Sequence, residues 1–212
     1  MDVSLVTILG DSYFEPITTL FEKLENLKDI GSNEIQAGGQ ENGFASGIAI
    51  LSAVCLESYV MRVRYANSAT QDQLDNVKVS AYLKSIFPKF KFEKEIIEIF
   101  ILRDVLAHNH LWEIDARINE DGDLQQENIS KRSNGNKKYK HYVNESVHKT
   151  KNLELNVNPI KVGFQDIRTV FKSMWKILLF LESQDRSQVY VSSIRVTYKE
   201  KRIKFEELVN AL

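Results

Sequence analysis

Phe44-Ala-Ser-Gly-Ile-Ala-Ile-Leu-Ser-Ala-Val-Cys-Leu-Glu-Ser-Tyr-Val-Met-Arg-Val-Arg-Tyr-Ala66 is the stretch that decides the fold class. Ile48, Ile50, Leu51, Val54, Leu56, Tyr59, Val60 and Val63 point in almost every direction around a helix. A helix that is apolar nearly all round belongs at the centre of a bundle. Ala45, Gly47, Ala49 and Ala53 are small and let a neighbouring helix approach closely. The apolar, uncharged part, Asn42 to Leu56, is only 15 residues long and includes Asn42, Ser46 and Ser52, which is too short and too mixed to predict a membrane span.

Working outward, Ile17, Leu20, Phe21, Leu24 and Leu27 predict a helix over 13–30, with Pro16 in its first turn and Gly31 as its stop. Residues 32–43 read as a polar connection. A short helix is expected over 77–87, ending at Pro88, and a long one over 92–109. Beyond it, Trp112 to Ile118 alternates with period two, as a half-exposed strand does, and Asn119 to Asp123 is a turn signal. Residues 124–151 read as irregular. Leu153 to Val157 alternates again, 164–182 returns to helical spacing, Val189 to Tyr198 is rich in β-formers, and a short helix closes the chain at 205–212. The expectation is a mainly α protein: a helical bundle from 1–110 and 159–183, a β-rich charged insertion at 111–158, and a small C-terminal accessory strand and helix at 184–212.

Composition agrees with this. Nine glycines and three prolines in 212 residues amount to about 6%, against about 12% in average proteins. Six of the glycines precede residue 48, so the stretch from Phe44 to Ala107 has only Gly47 and Pro88 as breakers. The single cysteine, Cys55, excludes an intrachain disulfide and suits a reducing compartment. The first residues lack the pattern of a secretory leader, so a soluble cytoplasmic chain with no membrane partner is expected. The net charge of −1 hides an asymmetry: residues 111–127 carry six acids and one base, and residues 131–151 carry seven bases and one acid. Lys137, Lys138 and Lys140 read as contacts for RNA phosphates, with Tyr139 and Tyr142 interleaved for base stacking. The plainer reading is a solvated loop, or pairing between the two halves.

The residues that carry chemistry lie at the end of the long helix. From Ile96 to Ala107, nine of twelve positions are apolar, and the exceptions are Glu98, Arg103 and Asp104. Charges on such a helix reach solvent or find partners, because an unpaired buried charge is costly. Asp104 and His108 are four residues apart and share a face, so the carboxylate is in reach of the imidazole. Arg103 and His108 are five apart, roughly 140° around the helix, and flank a phosphate lying across it rather than stacking on each other. A base tuned near neutrality and a permanent planar cation are what metal-free cleavage of RNA requires. The structural alternative pairs Arg103 with Glu57 or Glu98 and leaves His108 as a residue that favours the helix dipole. Glu57 either orients Arg103 or faces solvent; Asn109 either bonds phosphate or caps the helix.

Arg103-Asp-Val-Leu-Ala-His108 resembles the signature of the HEPN superfamily: an Arg, four to six residues, then a His, often with a polar residue after the Arg, here Asp104. The setting is similar too, late in a long helix that follows an apolar, small-residue helix with a Leu-Glu pair, here Leu56-Glu57. The resemblance covers 42–110 and extends to 164–183 as a closing helix. It implies a HEPN-like bundle that dimerises and brings two Arg/His motifs into one cleft. Many such domains are metal-independent endoribonucleases of toxin–antitoxin, abortive-infection or antiviral systems, and others bind RNA or nucleotide without cleaving it. On this reading Arg103, His108 and Asp104 are catalytic, with Asn109 and Glu57 in support. The partners are RNA, a second copy, and an antitoxin or defence-system protein. No cofactor is implied. In one toxin branch a Tyr stands two residues after the His; here that place holds His110. A metal site at His108, His110 and Asp115 is disfavoured by its spacing and the absence of a nearby cysteine, and His141 and His148 lack a flanking acid pattern.

Overall fold

The computed structural model describes residues 9–27, 36–108, 112–122, 124–131 and 137–212. It is mainly helical. The central element is α2 (Gly39–Ala66), 28 residues long. It packs against α1 (Phe14–Glu25), α5 (Glu93–Ala107) and α7 (Phe164–Gln184). Ala45, Ala49 and Ala53 are fully buried, as close helix approach requires, with Ile48, Leu56, Tyr59 and Val60 filling the space between. By length and composition α2 is apolar enough to cross a bilayer, yet half of its most apolar window is covered by the rest of the fold. Phe21 of α1 stacks on Phe164, 5.7 Å between ring centroids, and meets Phe171 at 5.3 Å, which ties α1 to α7.

The helix α5 is enclosed on two sides. Residues 96–102 are all buried, seven in succession, which exceeds what one stripe of a helix can present. Ile96, Ile99, Phe100 and Leu102 belong to the main core. Ile97, Ile101 and Val105 form a second small core with Tyr139, Val143 and Val157 from the insertion. Glu98, fully buried, holds the two together: its carboxylate accepts the backbone N–H of Leu153 at 2.7 Å and of Asn152 at 2.9 Å.

Several elements differ from expectation. The described part of α1 stops at Glu25, and α2 starts five residues early, so Gly39 and Gly43 are helical. A further helix, α3 (Gln71–Asp75), is set by a capping box in which Thr70 and Gln73 bond each other's backbone N–H. It leads to α4 (Val79–Ile86). The helix α5 ends at Ala107, and Asn109 lies outside the described residues. The segment expected to be irregular contains β2 (Leu124–Lys131), which pairs antiparallel with β1 (Trp112–Ile118). It also contains α6 (Lys137–Tyr142) and the minimal ladder of β3 (Val143–Asn144) with β4 (Lys149–Thr150).

Residues 153–157 are not a strand. Leu155 and Val157 are buried as the alternation implies, but Glu98 takes the N–H of Leu153 and the Thr150 hydroxyl takes that of Leu155. Only a single bridge, Lys149 to Asn156, remains, and Glu154 sits at φ 56°. Within 189–198, only β5 (Arg195–Tyr198) is a strand; Ser192 is held in a 3-10 turn by the buried Glu182 carboxylate.

The C-terminal segment shares the main core. Strand β5 and β6 (Lys201–Lys204) form a hairpin whose turn residues, Lys199 and Glu200, are both left-handed, as two-residue hairpin turns favour. Phe205 of α8 (Phe205–Asn210) sits 4.7 Å from the Phe14 ring and 5.5 Å from the Trp175 ring. The Glu15 carboxylate accepts the Thr197 N–H and pairs with Arg202 at 3.2 Å.

Replacing the buried Glu98 with Ala removes the acceptor of two partly buried N–H groups, a loss of about 1–3 kcal/mol in urea denaturation. A loss below about 0.5 kcal/mol would show that the insertion is not anchored this way.

Candidate functional site

Arg103 and Asp104 are the first charged residues after the enclosed run of α5. Arg103 is held from three directions. Its Nη1 lies 3.6 Å from Glu57 Oε2 on α2, its Nε lies 2.9 Å from Asp104 Oδ1, and its guanidinium rests 5.2 Å from the Phe100 ring centroid. The Nε–H is not directed at Asp104, so that contact is Coulombic and the donor has no hydrogen-bond partner. Sequence neighbours on a helix do not face each other, which explains the side-on geometry. Of the two acids expected as partners for Arg103, Glu57 takes the role; Glu98 is engaged with the insertion.

His108 is the C-terminal cap of α5. Its backbone N–H bonds the Asp104 carbonyl at 3.1 Å and closes the last turn. The residue is exposed, and it does not line the cleft that Arg103 lines. Within one chain the structure thus brings together Arg103, Asp104 and Glu57, and sets His108 further along the same helix.

The cleft has a volume of about 700 Å³. Glu57 and Arg103 form part of its wall, and His141 and Tyr142 of α6 form another part. The helix carrying the expected RNA-contacting lysines therefore stands beside Arg103. Lys140 is exposed on it; of Lys137 and Lys138 the described part is the backbone alone. Tyr139 departs from expectation. It is buried against α5, and burial, reinforced by Glu145, pushes its phenol up to about 12. Tyr142 is only partly buried, and the His141 ring meets it edge-on with 4.7 Å between centroids.

Arg64, Lys78 and His141 also line the cleft, and the sequence does not mark them as parts of it. Arg64 follows Arg62 at the polar end of α2, and His141 lacks a flanking acid pattern, so no spacing marks either. Among the described residues, no three His, Cys, Asp or Glu side chains gather as metal ligands; His110 lies outside them. Cys55 is buried, burial raises its thiol far above the usual range, and Sγ donates weakly to the Gly10 carbonyl.

No family model matches the chain, and no curated protein or solved structure matches it.

The side chains of Arg103 and Glu57 are 29% and 44% exposed, so their pairing contributes under about 1 kcal/mol. Glu57→Gln accordingly shifts the denaturation free energy by less than that. A loss above about 2 kcal/mol would make the pair a structural strut rather than a device for orienting Arg103.

Proposed function

We propose that the chain is a metal-independent endoribonuclease of the HEPN type, an effector of toxin or antiviral-defence systems that acts as a homodimer. The observation that carries this reading is Arg103, held by Glu57 at the wall of a nucleotide-sized cleft while His108 sits exposed at the end of the same helix. Arg103 serves as the phosphate clamp. A neutral His108 removes the ribose 2′-OH proton, and the 2′ oxygen attacks the adjacent phosphorus. The 5′ oxygen leaves with a proton supplied by an imidazolium, giving a 2′,3′-cyclic phosphate and a 5′-hydroxyl. Asp104 lies between the two motif residues and neutralises part of the charge of Arg103 until a phosphate arrives. His108 does not line the described cleft of its own chain; on this reading the site is composite, formed between two copies that bring their Arg103 and His108 side chains together. The basic residues of α6 hold the strand. An antitoxin or another defence protein is the natural protein partner for such an activity.

One observation favours a second reading, a non-catalytic RNA- or protein-binding module that works through its dimer and charged insertion. Arg103 is already flanked by two carboxylates, and a phosphate has to displace them.

Expression of the chain beside Arg103→Ala and His108→Ala, with purified digestion of RNA in EDTA, separates the two. The native chain slows growth and cleaves RNA in EDTA, and each substitution lowers cleavage by at least about 100-fold. Equal growth and no cleavage for all three proteins overturns the ribonuclease reading. Cleavage abolished by EDTA assigns the chemistry to a metal instead.

A further inference from the structure

The same cleft contains a second guanidinium. Arg64 lines it and is only 3% exposed. Its Nη atoms donate to the carbonyls of Leu74 and Val77, Nη1 also weakly to the Met61 sulfur at 3.9 Å, and its guanidinium carbon lies 5.0 Å from the Tyr82 ring centroid. Its Nε–H has no partner, and among the described residues no carboxylate lies within ion-pair distance of it. A buried cation without a counter-charge is costly. An anion in the cleft removes that cost.

A second, independent feature points the same way. The first turn of α4, from Val79 to Ala81, lines the cleft, with Lys78 just before it. No side chain caps this helix start and no acid stands in its first turn. Its N–H groups and dipole are therefore open to an anion. The acids on the cleft wall are accounted for in part: Glu57 is paired with Arg103, Asp75 accepts the Gln71 amide at 2.8 Å, and Glu93 remains.

Arg64 and Glu57 are seven residues apart on α2, so they share a face about 10 Å apart at ~1.5 Å per residue. A ligand that meets Arg64 and the Glu57-held Arg103 is thus longer than one phosphate. The volume of about 700 Å³ falls in the range of small-ligand sites.

We propose that Arg64, Lys78 and the first turn of α4 form a phosphate subsite that binds one phosphate of a single-stranded RNA while Arg103 meets another. The assignment of the phosphate to RNA rests on the reading given under Proposed function; Tyr142, on the wall formed by α6, supplies a surface for a base.

The test is anisotropy of a fluorescein-labelled oligouridylate eight-mer with the full chain in EDTA, at several salt concentrations, with cleavage followed in parallel. Arg64→Lys keeps the charge and loses the planar fork, and weakens binding about tenfold. Lys78→Ala weakens binding and flattens the plot of log affinity against log salt by about 0.7. Lys89→Ala, at an exposed residue away from the cleft, changes neither. Inorganic phosphate competes more weakly in both cleft variants than in the native chain. Should Arg64→Lys lower the melting temperature, Lys78→Ala decides alone. Absence of oligouridylate binding, or binding unchanged in the cleft variants, overturns the subsite. Binding lost in the variants without any RNA cleavage by the native chain keeps the subsite and discards the ribonuclease; cleavage with identical KM in all variants does the reverse.

Discussion

The enclosure of α5 is the constraint on which the rest depends. Seven consecutive buried residues cannot be covered by one neighbouring surface. The bundle covers Ile96, Ile99, Phe100 and Leu102, and the insertion must cover Ile97, Ile101 and Val105. That need draws 139–157 back onto the bundle, and the buried Glu98 fixes its position through the Asn152 and Leu153 amides. The insertion therefore combines the β1–β2 hairpin with a segment that contributes Tyr139, Val143 and Val157 to a core shared with α5. Its helix α6 stands beside the cleft because α5 requires it there.

The site lies where this cover stops. After Leu102 the helix carries Arg103 and Asp104, both partly exposed, and then its C-terminal cap at His108. Around them the charges are unevenly satisfied. Arg103 has two carboxylates, while Arg64, far more buried, meets backbone carbonyls, the Met61 sulfur and an aromatic face, and no carboxylate among the described residues. The phosphate-bearing ligand proposed above would balance both situations, competing for Arg103 and supplying a counter-charge to Arg64. His108 is exposed and does not line the described cleft of its own chain, and the proposed chemistry therefore draws on two copies.

The sequence made the large elements legible. The apolar spacing of α2, α5 and α7 carries their helical character, and the pairing of Arg103 with Glu57 was one of the partners the residues allowed. What spacing does not carry is placement by single polar contacts. The helix α3 rests on a Thr70–Gln73 capping box inside a polar stretch. The alternation at 153–157 predicts burial correctly and backbone pairing wrongly, because the amides of Leu153 and Leu155 are taken by Glu98 and Thr150. Tyr139 looked like a stacking residue among lysines and is a core residue against α5. Arg64 was invisible because its partners, Leu74 and Val77, are backbone carbonyls that any residue type supplies.

The ends left on a cleaved RNA test the central claim most directly, since they record which oxygen attacked the phosphorus. Digestion of a defined oligonucleotide in EDTA, followed by mass spectrometry of the fragments, is predicted to give a 2′,3′-cyclic phosphate on one fragment and a 5′-hydroxyl on the other. Fragments ending in a 3′-hydroxyl and a 5′-phosphate, or an intact oligonucleotide, would contradict it.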